Sequence, residues 1–179
     1  PGIGLVETWF HDMDAGWTRY VLDSDNIPYR VIRPADIPEI DLKDDFDLLL
    51  FADRNSSVFL SGKYKGRRYG REYLPGYPPE YREGMGKEGQ RKLLKFIDEG
   101  GKVISWGGSV GLFAGILTTE EEGEEFQLPF TDISDELKKE GLYIPGTTIR
   151  VKVRDDHPIT YGMENEIGIL YSGGPVFST

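Results

Sequence analysis

Phe-Asp-Leu-Leu-Leu-Phe at residues 46–51 and Lys-Val-Ile-Ser-Trp at residues 102–106 are the two stretches that decide the fold. Each is a short, largely apolar run of the kind found in strands that are covered on both faces of a sheet. Residues 3–7 and 29–32 form two more such runs, with a helical pattern over residues 14–24 between them. Strands that alternate with helices predict an α/β fold with a doubly wound, mostly parallel sheet and helices on both faces. We expect the strands at residues 48–51 and 103–106 to be neighbours at its centre.

The remaining elements follow from helix signals and alternation. Asp14 is a predicted N-cap for the first helix. A helix over residues 87–99 is expected to end at Gly100, which permits a left-handed stop. Two further strands are predicted over residues 148–153 and 167–171.

Composition favours one soluble domain over residues 1–179. A chain of 179 residues with 38% hydrophobic content suffices for one sizeable core. Its 21 Lys and Arg against 31 Asp and Glu give a net charge of -10, which argues against nucleic-acid and anionic-membrane partners. No apolar run approaches the roughly 20 residues that cross a bilayer. Because the chain opens at Pro1 without an initiator Met, we expect a fragment of a longer protein.

Four segments, taken in their order along the chain, resemble those of a known family. They are residues 14–19, residues 77–84 (Tyr-Pro-Pro-Glu-Tyr-Arg-Glu-Gly), residues 143–146 (Tyr-Ile-Pro-Gly) and residues 157–163 (His-Pro-Ile-Thr-Tyr-Gly-Met). Together they resemble the class I glutamine amidotransferase-like domain found C-terminal to the peptidase domain in bacterial zinc carboxypeptidase family proteins. The resemblance extends over nearly the whole chain.

The resemblance implies a flavodoxin-like fold and a parent protein that is a zinc metallopeptidase. It implies that the upstream peptidase domain of the same chain is a partner and holds the zinc, so that no cofactor and no metal are expected in this domain. The alternative partner is a second copy of the chain, in a homo-oligomer. If the parent is a secreted or periplasmic peptidase, the location is extracytoplasmic.

A glutaminase of this class carries its cysteine on the sharp turn after a central strand, but this sequence has no cysteine. The corresponding turn holds Gly107, Gly108 and Ser109 in a G-x-S-x-G pattern that is similar to a hydrolase nucleophile elbow. Serine needs a histidine that is oriented by a carboxylate, and neither His11 nor His157 begins the His-x-Glu motif of the class. Ser109 is therefore the candidate nucleophile of an alternative hypothesis. In the structural interpretation, Ser109 instead caps a helix.

Ligands of doubly wound sheets bind beyond the carboxyl ends of the strands. The residues that follow the predicted strands are therefore the ligand-edge candidates: Glu7, His11, Asp53, Gly107, Gly108 and Ser109. Metal binding by His11 and the nearby carboxylates is one alternative, and helix capping and solvation are another. A phosphoacceptor site at Asp53 would need an acidic pair directly after the first strand, where only Glu7 stands.

The segment over residues 54–92 is unusual in its charge. It has 10 Lys and Arg against 4 Asp and Glu, a net charge of +6, which leaves -16 for the remainder. Tyrosines interleave with its arginines, and these residue types bury well at interfaces. We expect a docking surface, with a solvated basic loop as the alternative. The interface candidates are Arg67, Arg68, Tyr69, Arg71, Tyr77, Tyr81 and Arg82.

The resemblance, together with the missing cysteine, implies a non-catalytic amidotransferase-like accessory domain, a pseudoenzyme that acts as a binding or interdomain module of a zinc carboxypeptidase-type protein. The alternative is a hydrolase in its own right that uses Ser109 or a carboxylate site at the carboxyl edge of the sheet. Fold alone does not decide between them.

Overall fold

The computed structural model describes residues 2–9, 12–65, 72–73, 78–114, 118–121, 124–144, 146–171 and 175–178. The chain divides into two compact units, one over residues 1–131 together with residue 179, and one over residues 132–178. The single domain over residues 1–179 that composition favours therefore stays a prediction.

Strands and helices alternate along much of the first unit. Its strands are β1 (Ile3–Val6), β2 (Arg30–Ile32), β3 (Leu48–Phe51), β4 (Tyr64–Lys65), β5 (Glu72–Tyr73), β6 (Lys102–Ser105), β7 (Thr118–Glu121), β8 (Glu124–Gln127) and β9 (Thr131–Asp132), the last of which runs into the second unit. Its helices are α1 (Met13–Ser24), α2 (Leu42–Asp45), α3 (Ser56–Ser61), α4 (Gly86–Asp98) and α5 (Val110–Phe113), with 3-10 turns at Pro34–Glu39, Pro79–Tyr81 and Gly107–Ser109.

Four of these strands form one parallel sheet in the order β2-β1-β3-β6. Leu5 of β1 lies opposite Val31 of β2 on one side and Leu50 of β3 on the other. Leu50 in turn lies opposite Ile104 of β6. The predicted α/β fold with a parallel sheet is confirmed, and so is the adjacency of the third and fourth predicted strands. The strand order reverses between β1 and β3.

β6 lies at one end of this sheet, so the prediction that it is central is wrong. Ile104 keeps 43% of its surface exposed. In the part of the chain that the structure describes, the sheet has no strand beyond β6. The sequence of β6 does not reveal how many strands flank it. Val103 and Ile104 would be apolar with one neighbour or with two, because a second neighbour would come from elsewhere in the chain.

The larger core lies on one face of the sheet. Phe51 of β3 contacts Phe59 of α3 and Phe113 of α5 edge to face, with ring centroids 5.3 and 5.2 Å apart. Helix α4 adds Leu93, Leu94 and Phe96, which are buried in the same cluster. Aromatic pairs of this geometry add stability beyond the area that they bury.

The opposite face has a smaller core, to which α1 contributes. Ala15 and Leu22 of α1 cluster with Leu5, Leu50 and Ala52 of the sheet. The remaining large apolar side chains of the helix, Met13, Trp17, Tyr20 and Val21, are exposed. Both faces of the sheet are therefore covered, but not equally.

The two helix ends test the predicted signals. Helix α1 is capped by Asp12, whose carboxylate accepts a hydrogen bond from the Ala15 N–H at 3.2 Å. The predicted cap, Asp14, lies instead in the first turn. Two aspartates of equal capping preference stand two residues apart, so the sequence alone does not distinguish them. Helix α4 ends as predicted, with Gly100 in the left-handed region at a φ of 83°.

The second unit contains helix α6 (Ser134–Lys139), strands β10 (Thr147–Lys152), β11 (Glu166–Tyr171) and β12 (Phe177–Ser178), and a 3-10 turn at Pro158–Thr160. Strands β10 and β11 pair antiparallel, and Ile149 lies opposite Ile169. The two strands predicted in this region are confirmed. His157 caps the 3-10 turn, since its Nδ1 accepts a hydrogen bond from the Ile159 N–H at 3.2 Å.

Leu49→Ala is expected to lower the free energy of unfolding by about 2–5 kcal/mol, because it truncates a fully buried side chain of β3. Ile104→Ala in the neighbouring strand is the matched control and should cost about 1 kcal/mol or less, because its side chain is partly exposed. Urea unfolding followed by circular dichroism measures both losses. Equal losses would contradict the position of β6 at the end of the sheet.

Candidate functional site

The carboxyl ends of the four parallel strands meet at one edge of the sheet. Glu7 follows β1, Asp53 follows β3, and the turn Gly107–Ser109 follows β6, as the sequence analysis places them. Arg33, which follows β2, also belongs to this edge, and sequence reasoning missed it. Its position directly after a strand was the only signal that could have found it. His11 lies outside the described residues.

Ser109 is fully buried, and its hydroxyl is bonded inside the fold. Its Oγ lies 2.9 Å from the carbonyl oxygen of Phe51 and 2.7 Å from that of Trp106. The hydroxyl of Ser105 is 2.8 Å away. Among the described residues, no carboxylate or imidazole is a hydrogen-bond partner of Ser109. These bonds tie β3 to the turn after β6, which is a structural task.

The two glycines of this turn allow Asp53 to approach its backbone. Gly107 has a φ of 61°, and a Cβ at this position would collide with the Asp53 carboxylate. The Gly108 N–H donates a hydrogen bond to Oδ1 of Asp53. In a working nucleophile elbow, N–H groups beside the nucleophile would face a developing oxyanion. Here a carboxylate of the protein already accepts from the Gly108 N–H.

The crevice between β1 and β3 is where the strand order reverses and where ligands of doubly wound sheets usually bind. Asp12 lies there with an almost fully buried carboxylate. It accepts hydrogen bonds from the Thr8 N–H at 2.8 Å and from the Thr8 hydroxyl at 3.1 Å. The guanidinium of Arg54, at the end of β3, lies 3.4 Å from its other oxygen. The polar groups of this crevice therefore bind one another.

Asp14 and Asp53 form a pair of carboxyl groups beside this crevice. Desolvation by burial raises the pKa of Asp14, and the negative charges of Asp53 and Asp12 raise it further, while Arg54 acts in the opposite direction. A hydrogen bond with the side chain of Asp53 has the same raising effect. Repulsion between these neighbouring carboxyl groups thus favours the protonated form of Asp14.

The β1–β2 side of the edge is organised around Glu7 and Arg33. Oε2 of Glu7 is buried without a hydrogen bond, and the guanidinium groups of Arg19 and Arg33 lie 3.5 and 3.6 Å from it. Nη1 of Arg33 donates to the carbonyl oxygens of Glu7 and Thr8 at 3.1 and 3.2 Å. The guanidinium also stacks on the Trp9 ring, 3.6 Å from its centroid. The charge and donors of Arg33 are thus engaged within the protein.

A cavity of about 250 Å³ opens beside this cluster, and we call it the Trp9 cavity. Trp9 and Tyr81 form its aromatic wall, with ring centroids 4.9 Å apart and an interplanar angle of 74°. Its carboxylates are Asp36, Glu80 and Glu83, and its other lining residues are Thr8, Arg33, Pro34, Ala35, Val58 and Gly62.

Gly62 allows the backbone of residues 82–84 to pass close to the end of α3. Its φ is 70°, and a Cβ at this position would collide with the carbonyl oxygen of Arg82. The close approach holds Tyr81, at the end of the turn Pro79–Tyr81, beside Trp9. The aromatic wall therefore depends on a glycine that no motif marks.

Two of the interface candidates, Tyr81 and Arg82, lie within the described residues. The other five, Arg67, Arg68, Tyr69, Arg71 and Tyr77, lie outside them. Within the described ranges, no group of three or more His, Asp or Glu side chains could hold a metal ion. No helix in that part of the chain is long and apolar enough to cross a membrane.

Comparison with models of known protein families finds no match to this chain, and no curated protein and no solved structure matches it either. The resemblance to the amidotransferase-like domains of zinc carboxypeptidases therefore stays a prediction. The site is defined by its geometry alone.

Asp14→Asn is expected to stabilise the protein at pH 7. The raised pKa of Asp14 means that the folded state favours its protonated form. That contribution is fully present below the ordinary Asp pKa of 3.8 and is lost as the pH rises through the higher folded pKa. The variant should therefore exceed wild type most at pH 7 and lose its advantage towards pH 4, as measured by urea unfolding across this range.

Asp23→Asn, an exposed position in the same helix, controls for the removal of one negative charge. A variant Asp14→Asn that is less stable than wild type at pH 7 would show instead that Arg54 or the start of α1 stabilises the ionised form.

Proposed function

We propose that this chain is a non-catalytic, class I glutamine amidotransferase-like accessory domain that acts as a binding or interdomain module of a zinc carboxypeptidase-type protein. The turn after β6 carries this proposal. A catalytic elbow needs an exposed nucleophile beside N–H groups that can bind an oxyanion. Here the Ser109 hydroxyl is fully buried, and the Gly108 N–H donates to Asp53.

The strand order supports the finer fold within this proposal. The order β2-β1-β3-β6 corresponds to the first four strands of the flavodoxin-like order 2-1-3-4-5. Helix α1 covers one face, while α3, α4 and α5 contribute to the core on the other. This is the arrangement that a class I amidotransferase-like domain would have.

The partner in this proposal is the upstream peptidase domain or a second copy of the chain. Segregation of charge is what supports it, since residues 54–92 carry +6 and the remainder carries -16. Complementary charge favours encounter and orientation of partners more than it adds affinity. Zinc belongs to the peptidase domain in this proposal.

A hydrolase with a carboxylate site is the second candidate, and the raised pKa of Asp14 is the observation that favours it. A carboxyl group that keeps its proton longer than usual can act as a general acid, and Asp53 beside it can accept one. The form of this candidate that uses Ser109 has no base within hydrogen-bond distance among the described residues. Activity assays separate the candidates directly.

The chain is expected to release no ammonia from glutamine and to hydrolyse no activated ester above the buffer rate. Ser109→Ala should instead cost about 1–3 kcal/mol of stability, because it removes a fully buried hydroxyl that is hydrogen-bonded to the backbone. Ser61→Ala, which removes an exposed hydroxyl bonded to Ser57, should cost about 0.5 kcal/mol or less. Glutamine-dependent ammonia release that disappears in Ser109→Ala would reject the proposal.

The triple variant Arg67→Ala, Arg68→Ala, Tyr69→Ala is expected to weaken association with the peptidase portion and leave stability unchanged. Added salt should also weaken the association of the wild-type chain, because charge contributes to that association. Sedimentation velocity of the peptidase portion mixed with this chain measures how the variant and added salt change association. A matched control removes two cations and one exposed tyrosine of the second unit, Lys138, Lys139 and Tyr143. If association, self-association and stability all remain unchanged, the segment is a solvated basic loop.

A further inference from the structure

We infer that the Trp9 cavity binds an alkyl chain that ends in a cation, such as the side chain of a lysine or arginine. The inference names a ligand for the binding module and so rests on the proposed function. It is carried by three properties of the cavity: the charge of its lining, its aromatic wall and its size.

The lining is acidic. Its three carboxylates, Asp36, Glu80 and Glu83, are exposed and share the lining with one cation, Arg33. The Arg33 guanidinium contacts Glu7, two carbonyl oxygens and the Trp9 ring. The Asp36 carboxylate accepts a hydrogen bond from the Arg33 N–H at 3.3 Å. Within the described part of the chain, Glu80 and Glu83 form no ion pair and no side-chain hydrogen bond. A cationic ligand would therefore gain partners here, whereas an anion would be repelled.

The wall suits the stem of such a ligand. Trp9 and Tyr81 keep 48% and 40% of their surface exposed, although both are large aromatic residues. Lysine and arginine side chains bury their methylene groups on apolar surface while their charged end stays near polar groups. Aromatic rings also attract cations directly.

The size restricts what can enter. A cavity of about 250 Å³ is smaller than the roughly 300–1,000 Å³ typical of sites that enclose a cofactor or a drug-sized ligand. One long side chain is of the right scale. A free polyamine shares the same chemistry, so the two sources have to be separated by experiment.

The test is a titration of the whole chain, followed by NMR at the indole N–H groups. The probes are N-acetyl-lysine amide, spermidine and N-acetyl-norleucine amide, which keeps the alkyl stem but lacks the charge. We expect a saturable shift of the Trp9 signal with a cationic probe and none with norleucine. The exposed indole of Trp17, which does not line the cavity, serves as the internal reference. The probe that binds more tightly identifies a peptide or a free polyamine as the source.

The double variant Glu80→Gln, Glu83→Gln should weaken binding about threefold to tenfold, the range expected for the loss of two partly exposed charge interactions. The control Glu88→Gln, Glu99→Gln removes the same charge from α4 and its C-cap, outside the cavity, and should change binding less than twofold. No saturable shift, an equal response to norleucine, or equal weakening in the control would overturn the inference. The proposed function would stand in that case, because the activity and association assays described above test it separately.

Discussion

The burial of β3 on both faces is the constraint on which the rest of the first unit depends. Phe51 faces one core with Phe59 and Phe113, while Leu50 faces the other with Leu5. A parallel strand between two others can be solvated on neither face, so helices must cover both. The backbone of the same strand positions the site, since the carbonyl oxygen of Phe51 accepts from Ser109 and Asp53 follows the strand immediately beyond Ala52. Fold and site therefore share one element.

Contacts within the protein hold the polar groups on the β3 side of the sheet edge. Asp12 is bonded to Thr8 and paired with Arg54, and Asp53 accepts from the turn after β6. The Asp12 carboxylate would be costly to bury alone, because an unpaired polar group loses its hydration without replacement. Pairing with Thr8 and Arg54 within the protein removes that cost.

The sequence predicted strands β3 and β6 and the end of helix α4 correctly because apolar runs and stop signals depend only on neighbouring residues. The runs that became β3 and β6, and the glycine stop at Gly100, needed no knowledge of the rest of the chain. The end position of β6 and the role of Asp12 as cap depend on which distant or competing residues are present. The Trp9 cavity was not predictable, since it joins residues after β1 and β2 to a segment more than 40 positions later. Close approaches of the backbone at Gly62 and Gly84 bring those parts together.

The two sides of β1 divide the work at the carboxyl edge. On the β3 side, carboxylates outnumber nearby cations, and the Asp12–Arg54 pair offsets part of this charge without a ligand, while burial and the charge of Asp53 raise the pKa of Asp14. On the β2 side, the one arginine that could neutralise the lining is held by Glu7 and stacked on Trp9. The lining of the cavity is negative because it has three carboxylates against one arginine, and the contacts of that arginine with Glu7 and Trp9 also support the cavity wall.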